Sequence, residues 1–293
     1  MWQQKSFNEE NMKGILYLVP TPIGNLEDMS YRAIRILKEV DYIAAEDTRN
    51  SKKLCHYFEI DTPLMSYHEH NKEAGGRKII NLLKEGAKVA LISDAGLPTI
   101  SDPGYELVVE AVAEELTVVP LPGANAALTA LIASGLSTKS FYYFGFLDRQ
   151  KKEKRKQLEE LKNIPATMIL YEAPHRLKET LSLIHEVLGN RKIALCRELT
   201  KRYEEFIRGT TSELIEWAAK EEIRGEFVLI LEAGEPASIQ ENASWWEELS
   251  VEEHVKHYMA VKELSSKEAI KQTAKDRNMN KRDVYHMYHI GEE

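Results

Sequence analysis

Ser93-Asp94-Ala95-Gly96-Leu97-Pro98-Thr99-Ile100-Ser101-Asp102-Pro103-Gly104 directly follows the apolar run Val89-Ala90-Leu91-Ile92. A short apolar, partly β-branched run that stops at Ser-Asp-Ala-Gly predicts a buried strand delivering its last residues into a glycine-bent loop. In α/β proteins such strand ends are where ligands bind. Without a Cβ, Gly96 and Gly104 let the backbone approach a ligand closely, while Pro98 and Pro103 stiffen the loop in advance. Asp94 and Asp102 add two carboxylates. An ordinary strand-to-helix turn would explain Asp102 as the cap of the next helix. It would not explain the other five special residues.

Working outward, the chain repeats this arrangement. Upstream, Ile15-Leu16-Tyr17-Leu18-Val19 reads as a strand that breaks at Pro20-Thr21-Pro22-Ile23-Gly24-Asn25. Ser30 opens a helix whose Ala33, Ile34, Leu37 and Val40 recur at helical spacing, and Tyr42-Ile43-Ala44-Ala45 is the next strand, ending on Glu46-Asp47-Thr48-Arg49. Helices are predicted up to about Phe58, from about Glu69 to Lys84 and from about Tyr105 to Glu115, followed by a strand at Val118-Val119. Such alternation predicts a largely parallel sheet covered on both faces, with ligands at the carboxyl ends of its strands. Three loops share that edge: Pro20 to Asn25, Glu46 to Arg49 and Ser93 to Gly104. Pro120 to Ala127 then starts a helix of small residues reaching about Ser134, suited to close packing against a ligand or against another helix.

A second α/β unit starts at Phe141-Tyr142-Tyr143-Phe144. It is followed by six cations, Arg149, Lys151, Lys152, Lys154, Arg155 and Lys156, interrupted by one acid, Glu153. Further strands are Ala166 to Leu170, ending in Tyr171-Glu172-Ala173-Pro174-His175-Arg176; Ile193 to Cys196, ending in Arg197-Glu198-Leu199-Thr200-Lys201; and Phe227 to Leu231. The expected organisation is an N-terminal α/β domain over 13–135, a second over 136–234, a polar linker from Pro236 to Trp245, and a helical tail over 244–293. In the tail, Ser265 with Glu268 matches a capping box, and Asn278 to Asn280 makes a turn before Val284, Met287 and Tyr288, a helix-turn-helix-like pattern. His254/His257 and His286/His289 have helical i, i+3 spacing but lack the carboxylate or thiolate company of a metal site, so no metal is expected.

The 293 residues suit two domains plus an appendage. A hydrophobic content of 43% with 29% charged residues fits a soluble protein, and no apolar run approaches the roughly eighteen residues of a membrane span. Met1 to Met12 contains no signal-peptide core, so a cytoplasmic protein is expected. Cys55 and Cys196 form neither a disulfide framework nor a zinc pattern. A net charge of −8 disfavours coating nucleic acid electrostatically. The six-cation run is therefore either a local docking patch or a solvated helix start. No G-x-G-x-x-G or P-loop pattern is present, which argues against dinucleotides and nucleoside triphosphates.

Taken together, Val19 to Asp28, Ala45-Glu46-Asp47-Thr48-Arg49, Ser93 to Gly104, Pro120 to Ala124, Tyr171 to Arg176, Arg197 to Lys201 and Gly225-Glu226-Phe227 closely resemble the ribosomal RNA small subunit methyltransferase I family, of the tetrapyrrole methylase fold. The resemblance runs in order from about Gly14 to Glu232 and extends to the helical tail. One departure is Asp148, where the family pattern has proline. The resemblance implies two α/β/α domains with S-adenosylmethionine in the cleft between them, a homodimer, and methylation of the ribose 2′-hydroxyl of a cytidine in the decoding region of 16S rRNA, in the 30S subunit. A small-molecule methylase on the same fold has no use for a basic patch and a helical tail, and a noncatalytic RNA-binding protein would not need the cofactor loop.

On that resemblance, Pro22, Gly24, Ser93, Asp94, Ala95, Gly96, Ile100 and Ser101 of the first domain and Tyr171 and Pro174 of the second are expected to line the cofactor. Arg149, Lys151, Lys152, Arg155 and Lys156, with Arg197 and Lys201, are expected to meet RNA phosphates. Methyl transfer from a sulfonium is an in-line displacement that needs alignment and removal of a proton. Glu46 and Asp47 with Arg49 are the candidate catalytic or ribose-orienting groups, although the same charges could form a structural ion-pair network. His68 and His70 sit beside a predicted helix start, where capping or exposure would account for them.

Overall fold

The computed structural model describes residues 1–6, 13–234, 246, 249–262 and 264–290. The linker expected from Pro236 to Trp245 and the second half of the polar leader lie outside the described residues. The chain divides into a unit spanning Met1–Gly234 and a second spanning Glu235–Glu293.

In the first half of the larger unit the elements run β1 (Ile15–Leu18), α1 (Tyr31–Glu39), β2 (Tyr42–Ala45), α2 (Thr48–Tyr57), β3 (Leu64–Ser66), α3 (Lys72–Lys84), β4 (Lys88–Ile92), α4 (Tyr105–Ala113), β5 (Thr117–Pro120) and α5 (Ala126–Ser134). The five strands form one sheet in the order β3-β2-β4-β1-β5, with every pairing parallel. Both faces are covered. Ala33, Ile36, Leu37, Ile43 and Ile92 belong to one core cluster, while Leu16, Ile79, Leu83, Leu91 and Leu107 belong to another. Local chemistry agrees with the topology: Ser30 Oγ accepts the Ala33 N–H at 3.1 Å to cap α1, and Asn25 and Asn125 cap the short helix Leu26–Asp28 and α5 in the same manner. The short edge strand β3, buried only in part, was not legible in the sequence.

The second half adds β6 (Phe141–Phe146), α6 (Lys151–Leu161), β7 (Thr167–Glu172), α7 (Pro174–Leu188), β8 (Lys192–Arg197), β9 (Glu205–Thr210), α8 (Thr211–Lys220) and β10 (Phe227–Leu231). This sheet is mixed, in the order β6-β7-β10-β8-β9, because β10 inserts antiparallel between β7 and β8. Strand β9 and helix α8 are additions to the sequence reading: Glu-Phe-Ile-Arg-Gly-Thr alternates too weakly to announce a strand. Every residue of β10 is buried.

The second unit contains α9 (Val251–Val261), α10 (Ser266–Asp276) and α11 (Lys281–Ile290), packed on Val255, Tyr258, Ala269, Ile270, Ala274 and Val284. The expected capping box is present, with the Glu268 carboxylate accepting the Ser265 N–H at 3.2 Å. No helix among the described residues is long and apolar enough to cross a membrane.

Leu229, at the centre of β10, is fully buried. Leu229→Ala should therefore cost about 2–5 kcal/mol of stability in denaturant unfolding. A loss well below that range would mean that this strand is not the centre of the second core.

Candidate active site

The loops after β1 and β4 are stitched together. Thr21 N–H donates to the Gly96 carbonyl at 2.9 Å, and Gly96 N–H donates back to the Thr21 carbonyl at 3.0 Å. The Thr21 hydroxyl also donates to the Ser93 carbonyl at 3.0 Å. Gly96 has φ +83°, and a Cβ there would stand 3.3 Å from Ile23 Cγ2. Glycine is therefore required by the backbone conformation as well as by space. Of the seven non-glycine residues with positive φ among the described residues, four, Thr99, Ser101, Glu198 and Thr200, belong to the loops after β4 and β8. Each such conformation costs of order 1 kcal/mol and persists only where the surroundings impose it. Ser101 Oγ is held 2.6 Å from Tyr143 Oη on β6, and Thr200 N–H donates to Glu204 at 2.7 Å.

Two neighbouring cavities share this edge. One, of about 540 Å³, lies between the sheets, with Ala95, Gly96, Ile100, Ser101, Tyr171 and Pro174 in its wall alongside Asp102 and Phe146. The other, of about 720 Å³, lies against α2 and includes Pro22, Gly24, Ser93 and Asp94. The ten residues expected around a cofactor thus fall six to one cavity and four to the other, meeting where Asp94 joins Ala95.

An acidic group stands at the junction. Pairing of Ala45 with Ile92 sets Glu46 level with Ser93 across β2 and β4. Asp94 accepts the Asp47 N–H at 3.3 Å and the Asn50 amide at 3.2 Å. Asp47 caps α2, accepting Arg49 N–H at 2.8 Å, Arg49 Nε at 3.0 Å and Arg49 Nη2 at 2.8 Å. Those bonds hold its carboxyl down at about 2, which suits it to orient a partner and makes it a weak proton acceptor. Glu46 is pushed up by burial, with the charge of Asp94 adding to the effect. Asp102 goes further: burial, then the charges of Glu46 and Asp94, raise it from the usual 3.8 to about 7. It does not cap α4. Gly104 holds that position with no side-chain bond, so the helix-cap reading of Asp102 is replaced by a carboxyl facing the cavity. The signal for it was two acids in one loop beside an acid at the neighbouring strand end. His68 does not cap α3 either; its backbone N–H donates to Asn71 Oδ1 at 2.8 Å.

The basic run is less available than its composition implies. Lys154 is buried, its Nζ donating to Glu179 and to Thr180 at 3.0 Å each, and Arg155 pairs with Glu186. Arg149, Lys151, Lys152 and Lys156 remain exposed. Arg197 pairs with Glu205 at 3.2 Å, and Lys201 with Glu198 at 3.1 Å and Glu226 at 2.8 Å. The stem of Lys201 crosses Gly24, where a Cβ would come within 2.4 Å of its Cγ. Lys201 therefore ties the first half of this unit to the second.

Residues 15–215 match the profile of the tetrapyrrole (corrin/porphyrin) methylases. The chain is 63% identical over 288 residues to a Bacillus subtilis (strain 168) protein named ribosomal RNA small subunit methyltransferase I, covering 98% of each. It belongs to that family. A member from Streptococcus pyogenes serotype M3 is 41% identical over 99% of both chains. Among solved structures, the Thermus thermophilus uroporphyrin-III C-methyltransferase complexed with S-adenosyl homocysteine superposes with TM-score 0.55 at 18% identity, over 75% of this chain and 97% of that one. A cobalt precorrin-4 methyltransferase gives TM-score 0.58 at 13% identity, over 78% and 98%. These likenesses show the fold, two α/β/α halves of the tetrapyrrole methylase type, to which the structure adds a small C-terminal helical segment.

A carboxyl raised to about 7 in the fold but ordinary in the unfolded chain binds extra protons only when folded. Its contribution to stability is complete below about pH 4 and is lost as pH rises through about 7. Asp102→Asn, which cannot ionise, should raise the thermal midpoint relative to the native protein at pH 8 by more than at pH 4. Equal shifts at the two pH values would show that the carboxyl is not raised.

Proposed function

We propose that this chain transfers a methyl group from S-adenosylmethionine to the ribose 2′-hydroxyl of a cytidine in the decoding region of 16S rRNA, acting as a cytoplasmic homodimer on the 30S subunit. In this reading 13–135 and 136–234 are two domains closing on the cofactor and 244–293 is an accessory tail. The observation that carries it is one cavity between the sheets that holds six of the expected cofactor residues and opens beside Glu46, Asp94 and Asp102. The full-length relatives named for small-subunit rRNA support RNA over a tetrapyrrole as substrate.

The residues present fit such a cofactor. The cavity's apolar walls, from Ile23, Leu97, Phe146 and Val228, suit an adenine, while Glu198 and Glu226 in the same wall are engaged by Lys201. Glycine at position 96 keeps the backbone open where close approach is needed. When bound, the cofactor supplies an electrophilic methyl group on a sulfonium. The chain must align the hydroxyl and accept its proton. Asp102, poised near 7, and the raised Glu46 are suited to take that proton. Asp47, locked by Arg49, is suited to hold the ribose or the helix in register, and the exposed Arg49 to meet phosphate. The cations Arg149, Lys151, Lys152 and Lys156 would add sequence-independent docking, with Arg155, Arg197 and Lys201 already engaged by acids.

Gly96→Val should largely abolish S-adenosylhomocysteine binding in calorimetric titration of the folded variant. Unchanged affinity would remove the loop from the cofactor site. In single-turnover methylation of 30S subunits with labelled cofactor, Asp102→Asn or Glu46→Gln should slow transfer by about a hundredfold or more while cofactor affinity stays near native. The native rate should rise with pH through about 7 as Asp102 ionises. Near-native rates in both variants would leave alignment alone as the source of catalysis.

A further inference from the structure

We propose that the cavity of about 720 Å³ between the Thr21–Leu26 loop and α2 receives one unstacked nucleotide of the RNA, its base against Tyr57 and its phosphates on the cationic face of α2. This rests on the methyl-transfer reading above and adds to it the place where the accepting nucleotide sits, on a helix that the charge pattern of the sequence did not single out.

The size is right, since small-molecule sites run from about 300 to 1,000 Å³. Its position is right as well. Ser93 and Asp94 line this cavity and the next residues, Ala95 and Gly96, line the other, so occupants of the two would meet across a single stretch of backbone. The acids that could accept a proton stand at that junction.

The lining chemistry is that of a nucleotide site. Tyr57 is 62% exposed, yet its ring is held against Phe58 with centroids 4.9 Å apart at 84°. An exposed but oriented aromatic ring is a platform on which an unstacked base can lie. Asn50 spends its amide N–H on Asp94, leaving its carbonyl oxygen to accept from a base edge. Helix α2 carries Arg49, Lys52 and Lys53 with no acid among its ten residues, in a chain of net charge −8. Lys52 and Lys53 are exposed and form no ion pair among the described residues, whereas Lys154 and Arg155 of α6 are neutralised. Phosphates of a nucleotide in this cavity would find Lys53 in its wall and Lys52 next to it in the chain.

The test compares Tyr57→Ala, Tyr57→Phe and Lys53→Glu with the native protein, measuring labelled methyl transfer at a series of 30S concentrations, direct binding of 16S rRNA, and calorimetric S-adenosylhomocysteine affinity. Tyr57→Ala and Lys53→Glu should raise the half-saturating 30S concentration and weaken rRNA binding about tenfold or more, with cofactor affinity within about twofold of native. Tyr57→Phe, which keeps the ring, should restore binding, and Lys53→Glu should flatten the salt dependence. Native half-saturation and native rRNA binding in both disruptive variants would overturn the proposal. Native protein that transfers no methyl group to 30S subunits would overturn the methyl-transfer reading instead. The cavity assignment would then stand or fall on rRNA binding by the same variants.

Discussion

The reciprocal hydrogen bonds between Thr21 and Gly96 are the constraint on which the rest of the site depends. They join the loops that leave two neighbouring parallel strands, β1 and β4, and so set the floor shared by both cavities. Buried loop backbone must find partners somewhere. Here each loop satisfies the other, and the Thr21 hydroxyl and Ser93 reinforce the junction. With that floor rigid, the positive-φ residues Thr99 and Ser101 can be held in costly conformations beyond it.

The electrostatics follow from the same placement. Parallel strands in register deliver Glu46 and the Ser93–Asp102 loop to one edge, so three carboxylates, Glu46, Asp94 and Asp102, are concentrated there, and burial penalises the charge of Glu46 and Asp102. Cations sort themselves in response. Arg49 is drawn to Asp47, and Lys201 to Glu198 and Glu226, which leaves Lys52 and Lys53 on α2 and part of the α6 run facing outward. The exposed cations of α2 thus stand beside the carboxyls suited to accept a proton.

Much of this was legible in the chain alone. Apolar runs of four or five residues, such as Val89 to Ile92, stopping at Gly, Pro and Asp, specify buried strands and bent loops. Their alternation with amphipathic helices specifies a parallel sheet with its loops on one edge, because local periodicity and turn chemistry act over only a few residues. The family pattern, the Ser93–Gly104 loop and the acids at Glu46 and Asp47 were all readable on that basis.

Only the tertiary structure decided the rest, because each remaining feature depends on which distant residues become neighbours. Asp102 reads as a helix cap until burial beside Glu46 and Asp94 turns it into a carboxyl poised near neutrality. The six cations from Arg149 to Lys156 read as a docking patch or a solvated helix start until Glu179 and Glu186 on α7 claim Lys154 and Arg155. The weakly patterned β9 and β3 become strands through pairing at sheet edges, and β10 reverses the direction of the second sheet by inserting between strands already laid down. Charge, burial and strand order at these positions are properties of contacts across tens of residues, which a one-dimensional pattern does not contain.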